Sequence, residues 1–434
     1  MDSSLTRFLT YVEPFRLRRV SISTTPHQHP VRENGGFPQV ENKLTLDPTS
    51  VLRVASWVTY FTSSFTSKLN TGNQLVDPKK HIVWLFDNTA YQPDHGPVYG
   101  PPGWKTHVVA CAFEKHGRRD IGRWVAIIAD LVGLDGNPGL DDKKAVRNRI
   151  AMRIQPFLNA VVPNRFINLE VPVSKDEVHE FKLNSTKKDG IAEDDILIIP
   201  ALGIHDGSVV ESHAKNWGPK PPTMKTVFAD QDGWAVISDV DDTIKYTQTP
   251  DAIGILKTTF VDDPKPIDGM PETYKRIQER LNPTWFYLSA SPYNLYSFLR
   301  GFLGSLYPQG TLLLRENSWM DLAGLLRSFT QGTQEYKISQ LAKVFGWFPR
   351  RKILCIGDST QSDPEAYAEA YKTHDGWIKA IYIRKVTDVA NMEGKNDPER
   401  FEKAFEGVPR SVWKVFETAD ELGQLVDDLQ GQQS

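Results

Sequence analysis

Six short runs in the second half of the chain are apolar at most positions: 234–238, 284–288, 311–314, 352–356, 379–383 and 412–416. Runs of that length without polar alternation read as strands buried on both faces. Between them apolar residues recur at helical spacing, as Ile338, Leu341 and Val344 do. Strand and helix in alternation predict an α/β architecture, a doubly wound parallel sheet over residues 224–430.

The first half is patterned differently. His81–Phe86 and His107–Phe113 read as strands, while Ile121, Trp124, Ile128 and Leu131 share one helical face, as do Val146, Ile150, Ile154 and Phe157. Polar and apolar residues alternate at 166–173, 178–183 and 196–200, with a turn at Lys188-Asp189-Gly190. This predicts a smaller β-rich, β-sandwich-like domain with a helical insertion over residues 46–223, ending in the proline-rich Gly218–Pro222. Val51–Phe65 is expected as a helix packed on a neighbour. Residues 1–45 carry Arg7, Arg16, Arg18, Arg19 and Arg32 among prolines, so a flexible basic leader is expected, with a mitochondrial transit peptide or membrane-touching arm as the alternative.

Length and charge narrow the classes. A chain of 434 residues holds two or three cores, and a formal charge of −3 argues against a broadly basic nucleic-acid binder. The two cysteines, Cys111 and Cys355, lie in apolar runs and read as reduced core residues of an intracellular protein. No stretch approaches the roughly 20 apolar residues of a membrane span, so a soluble or peripheral protein is expected.

Chemistry gathers where strands end. The run 234–237 leads into Ser238-Asp239-Val240-Asp241-Asp242-Thr243. Side chains alternate along a strand, so Asp239 and Asp241 point the same way. Two carboxylates that close call for a shared cation, and hard oxygen ligands suit Mg²⁺. One arrangement makes the first acid a nucleophile toward phosphorus and the second a general acid and base. The plainer reading is a solvated acidic turn. Three further segments weigh against it. Ser289-Ala290-Ser291-Pro292 follows the run 284–288, Lys337 lies near the start of a helix, and Asp358 and Asp363 follow the run 352–356. In a parallel sheet the carboxyl ends of the strands share one rim, where ligands bind.

These four motifs resemble the haloacid dehalogenase superfamily, in its phosphatase branch, with Asp241 the discriminating acid. More closely, Val236–Lys245, the Ser289–Pro292 turn, Gly357–Tyr367 and Ile381–Arg384 are similar to the catalytic domain of the fungal actin-patch phosphatidate phosphatases and their bacterial relatives. The resemblance implies a haloacid-dehalogenase-like (Rossmann-like) fold and Mg²⁺-dependent hydrolysis of phosphatidate to diacylglycerol through an aspartyl phosphate. It implies Asp239 as nucleophile, Asp241 as acid and base, and Thr243, Ser289, Ala290 and Lys337 as residues that hold the substrate phosphate. It further implies Asp239, Asp241 through its backbone carbonyl, Asp358 and, from the outer shell, Asp363 around the metal. Two positions depart from the relatives: Ala290 stands where Asn is more frequent, and Thr360 where Gly is usual. The proline-rich tail of the fungal member has no counterpart before Ser434, so an actin-patch role is not part of the expectation.

About thirty residues separate Thr243 from the helix expected near Pro271, too few for a large cap, so an open site is expected. Peripheral association of a cytoplasmic enzyme with phosphatidate at a membrane surface follows from the resemblance. A soluble phosphomonoester or phosphoprotein substrate is the first alternative, and a scaffold with a relic catalytic domain the second. Trp319, Met320, Leu322, Leu325 and Leu326 read as core packing ahead of a lipid-touching surface, and Arg384 and Lys385 as salt-bridge formers or headgroup contacts.

Overall fold

The computed structural model describes residues 36–44, 74–93, 103–115, 121–134, 140–199, 204–315 and 322–431. Eight strands come first: β1 His81–Leu85, β2 Asn88–Tyr91, β3 Trp104–Glu114, β4 Asn168–Pro172, β5 Val178–Lys182, β6 Ile191–Ile198, β7 Val209–Ala214 and β8 Thr223–Ala229. They join one sheet in the order β1-β3-β2-β8-β7-β4-β5, with β6 on β3. The pairings are antiparallel except β2 with β8. The alternation at 166–173 and 178–183 becomes β4 and β5, whose Leu169 and Val171 are buried while Val178 stays exposed.

Strand β8 belongs to this first sheet, although it begins where the sequence pattern opened the second part at 224. Its Met224 and Phe228 alternate into the first sheet's core, a half-polar pattern that the fully apolar runs lack. The passage between the sheets is therefore residues 230–233.

The six apolar runs form β9 Trp234–Asp239, β10 Thr284–Pro292, β11 Gly310–Arg315, β12 Lys352–Asp358, β13 Ile378–Arg384 and β14 Trp413–Phe416. All are parallel, in the order β11-β10-β9-β12-β13-β14. Both faces are covered, as parallel strands require. Ala235, Ile237, Phe286, Leu288, Ile353 and Cys355 pack toward the helices Thr333–Trp347 and Asp363–Thr373. Val236, Tyr287, Leu354 and Ile356 pack toward Met270–Leu281, Tyr296–Leu306 and Ala419–Gly431.

The two sheets are bolted together at Asp87. Its carboxylate accepts Arg300 Nε at 2.8 Å and Nη2 at 2.7 Å, and also the Lys225 backbone N–H at 2.7 Å. The Tyr296 hydroxyl accepts the Asp87 N–H at 2.7 Å, and Thr89 meets Thr311 hydroxyl to hydroxyl at 2.6 Å.

The end of the expected flexible leader is folded. Pro38–Leu44 is a helix packed on Leu322–Thr330, with Phe37, Val40 and Leu44 buried at i, i+3 and i+7. A helix that short is stable only when docked. The arginines Arg7 to Arg32, the segment Val51–Phe65, Trp319 and Met320 lie outside the described residues. Leu325 and Leu326 are buried in the core, and both cysteines are buried and unpaired. Among the described residues no helix is long and apolar enough to cross a membrane.

Candidate active site

Register brings the motif-bearing strand ends level. Leu288 of β10 pairs with Asp239 of β9, and Ile356 of β12 with Ser238. The chain leaves β9 through a tight loop in which the N–H of Ile244 and that of Lys245 both return to the Val240 carbonyl. Asp242 sits at φ 61°, in the left-handed region that aspartate tolerates better than most residues. Its carboxylate accepts the N–H groups of Thr247 (2.9 Å), Gln248 (2.7 Å) and Thr249 (2.7 Å), plus the Thr249 hydroxyl (2.8 Å). Burial raises the pKa of Asp242, with those donors pulling the other way. This acid, given no role on sequence grounds, builds the loop that carries the others.

Asp239 is fully buried. Its Oδ1 accepts Lys337 Nζ at 2.7 Å, and its Oδ2 lies 3.0 Å from the Thr243 hydroxyl. That hydroxyl is also 3.3 Å from Asp358 Oδ2, so the oxygens of the two acids converge on it. Asp358 Oδ1 accepts the Thr360 N–H at 2.5 Å. Asp363, the first residue of its helix, takes Lys337 Nζ at 2.5 Å on one oxygen and the Asp358 N–H at 3.2 Å on the other. The approach needs a glycine, because a Cβ on Gly357 would meet Asp363 at 2.7 Å.

Asp241 is held by hydroxyls. Thr247 donates to its Oδ1 at 2.7 Å, Ser289 to its Oδ2 at 2.5 Å, and Ser291 reaches Oδ2 at 3.4 Å. Lys245 Nζ, also buried, is 3.8 Å from Oδ1. Ser289, expected to hold a substrate phosphate, thus donates to the second acid, and Ala290 is buried beside it. Ser291 and Lys245 lie inside the sequence motifs but were given no role, and Thr247 lies just beyond one. Thr360, one of the two departures, meets Thr249 hydroxyl to hydroxyl at 2.8 Å and ties the loops after β9 and β12 together.

Electrostatics follow from burial. It holds the Asp239 carboxyl well above the usual range, against the pull of Lys337. Burial, then Asp363, push Asp358 up to about 7. For Lys337 burial opposes the charged form, but Asp239 and then Asp363 outweigh it and raise its pKa. Asp239, Asp358 and Asp363 each place an oxygen within 4.8 Å of the others. Buried carboxylates in excess of their ammonium partner, all oxygen donors, are a set that fits a hard divalent cation.

The candidate catalytic side chains lie beneath the surface. Asp239, Lys337 and Asp358 are 0% exposed and Asp241 is 1% exposed. The short insert after Thr243 has no cap of its own, as its length required, but the helix Leu140–Leu158 of the preceding part packs against 257–261 and 293–295. Arg149 donates to the Val261 carbonyl at 2.7 Å, Arg153 to those of Thr259 at 3.1 Å and Asp262 at 2.5 Å, and Asn294 to that of Pro156 at 3.0 Å. That packing comes from a remote part of the chain, which spacing alone does not reveal.

Known proteins add to this geometry. A 2,6-sialyltransferase of a Vibrionaceae Photobacterium overlaps with a TM-score of 0.21 at 9% identity, covering 62% of this chain and 54% of that one, and carries no argument. An uncharacterized protein of Schizosaccharomyces pombe is 28% identical over 36% of this chain and 26% of its own length. Phosphatidate phosphatase APP1 of Saccharomyces cerevisiae is 29% identical over 255 residues, 57% of this chain. The chain spans 42% of that relative's length. The family model for the catalytic domain of phosphatidate phosphatase APP1 matches residues 234–385, from the first residue of β9 to the residue after β13. Residues 234–385 are thus similar to the catalytic domain of phosphatidate phosphatase APP1.

Proposed function

We propose that this chain is an Mg²⁺-dependent phosphatase with a haloacid-dehalogenase-like catalytic domain, and that it hydrolyses phosphatidate at a membrane surface to diacylglycerol and phosphate. The observation that carries the reading is the convergence of Asp239, Lys337 and Asp358 at the carboxyl rim of a parallel sheet, inside the segment that matches a phosphatidate phosphatase catalytic domain.

Asp239 is the nucleophile. One of its oxygens attacks phosphorus, a P–O bond to Asp239 forms, and the bond to the glycerol oxygen breaks. Asp241 donates the proton which that oxygen needs to leave as an alcohol. Asp241 then takes a proton from water as the water oxygen attacks phosphorus, which returns Asp239 and frees phosphate. Thr247 and Ser289 hold the Asp241 carboxyl in place through both steps. Lys337 offsets the negative charge that gathers around Asp239, and Asp363 holds Lys337. Asp239 and Asp358, with the Asp241 carbonyl, would hold Mg²⁺. When bound, it supplies charge neutralisation between carboxylate and phosphate.

The burial of the cluster favours a second reading, a small soluble phosphomonoester. Initial rates on phosphatidate in mixed micelles, lysophosphatidate and soluble esters, with and without Mg²⁺, separate the two. Phosphatidate is expected to lead and Asp239→Asn to abolish release. A soluble ester preferred by orders of magnitude overturns the lipid substrate. Mg²⁺ at a hundredfold its Kd is expected to raise unfolding free energy by about 2.7 kcal/mol in the wild type and not in Asp239→Asn.

A further inference from the structure

We propose that Arg384 is a positioning residue of this site, setting Asp241 and Thr243 through the peptide bond between Asp242 and Thr243. The proposal rests on the phosphatase reading above. Arg384 closes β13 beside Asp358 in register. Its backbone carbonyl accepts the Ser359 N–H at 3.0 Å, and the Ser359 hydroxyl in turn accepts the Val386 N–H at 3.0 Å. Its guanidinium crosses to the other loop, where Nη1 donates to the Asp242 carbonyl at 2.8 Å. One residue therefore links the segment after the nucleophile with the segment after Asp358.

A structural ion pair does not account for this arrangement. Nη2 donates to Asp388 at 3.1 Å, but the Asp388 side chain is 34% exposed whereas that of Arg384 is 7% exposed. Nε is buried without a hydrogen-bond partner. A desolvated charge that leaves one donor unmatched is unfavourable, and such exceptions concentrate where function requires a geometry. The geometry in question is visible. Asp242 is in the left-handed region, four donors hold its carboxylate, and Arg384 holds its carbonyl. Remove the guanidinium and a buried carbonyl loses its donor, leaving that peptide free to turn. On one side of it stands Asp241, the acid and base. On the other stands Thr243, whose hydroxyl sits between Asp239 and Asp358. Arg384 touches neither, so it acts through the loop.

The test compares wild type, Arg384→Ala, Arg384→Lys and Arg384→Gln on phosphatidate micelles and a soluble aryl phosphate, with Asp239→Asn as the inactive control. A displacement of roughly 1 Å at the reacting groups lowers turnover on the order of 10²-fold. Arg384→Ala should show that loss in kcat with KM within about twofold, Arg384→Lys should recover part of it, and millimolar guanidinium should restore activity to Arg384→Ala alone. Wild-type kcat in Arg384→Ala, or a raised KM with kcat intact, overturns the proposal. If Arg384→Ala does not fold, Arg384→Lys and Arg384→Gln decide by the same split between kcat and KM. Hydrogen exchange tests the brace without turnover. The amides of Thr247, Gln248 and Thr249 should exchange faster in the variants, and unchanged protection overturns it. Should wild type release no phosphate from any ester, the phosphatase reading fails, while the exchange result still decides whether Arg384 holds the loop.

Discussion

The two sheets treat charge in opposite ways. In the first, ionised side chains pair across strands at the protein surface: Lys105 with Asp195, and Lys215 with Glu170 and Glu180. Water reaches these groups, so each pair contributes little. At the carboxyl rim of the second sheet Asp239, Asp358, Asp363 and Lys337 are withdrawn from water altogether. Desolvating such a group costs several kcal/mol, and mutual attraction returns it only when each charge keeps its partners. The contrast teaches where to look for chemistry in this molecule. Pairs at the surface of the first sheet are compatible with folding alone, whereas the rim cluster is unfavourable for folding unless its members are held together.

Deleting one member of each set measures the contrast directly. Lys337→Met should leave Asp239 and Asp363 buried without their ammonium and lower stability by about 3–5 kcal/mol, read from the urea midpoint at constant slope, along with loss of activity. Equal stability in the variant would remove the distinction between the sheets. Lys105→Ala, in the first sheet, should change stability by less than about 1 kcal/mol, and less still at high salt. A loss comparable to that of Lys337→Met would place this surface pair in the same class as the rim.

The smallest expected effect is a pH dependence in the first sheet. Burial, then Arg165, hold the His81 pKa below the ordinary value of 6.5, against the opposing pull of Asp77, and its Nδ1 accepts the Asp77 N–H at 2.9 Å. The unfolded chain therefore takes up the proton first. The contribution of His81 is whole above pH 6.5 and is lost as pH falls from there through the lower folded value. His81→Gln should flatten the slope of stability below pH 6.5, as measured by thermal melts from there downward. A slope unchanged in the variant assigns the dependence to other groups.

Much of this was legible along the chain, and for definite reasons. A strand buried on both faces needs apolar residues at successive positions, so β9 to β14 are visible as runs, and parallel order places the acids that follow β9 and β12 at one rim. Lys337 could be placed on a helix because Leu341 and Val344 repeat behind it. Other features depend on partners far away in sequence. The helix Pro38–Leu44 exists because Leu322–Thr330 offers it a surface, and β8 joins the first sheet because β2 and β7 flank it.

The identities and order of Asp239, Asp241, Lys337 and Asp358 were set by the sequence itself, since side-chain alternation and strand ends are local properties. Only the tertiary structure decided that the cluster is buried, that Ser289 donates to Asp241, and that Arg384 spans two loops. Burial and hydrogen-bond partnership are properties of what else arrives in the same space, and the helix Leu140–Leu158 arrives from nearly a hundred residues before the nucleophile.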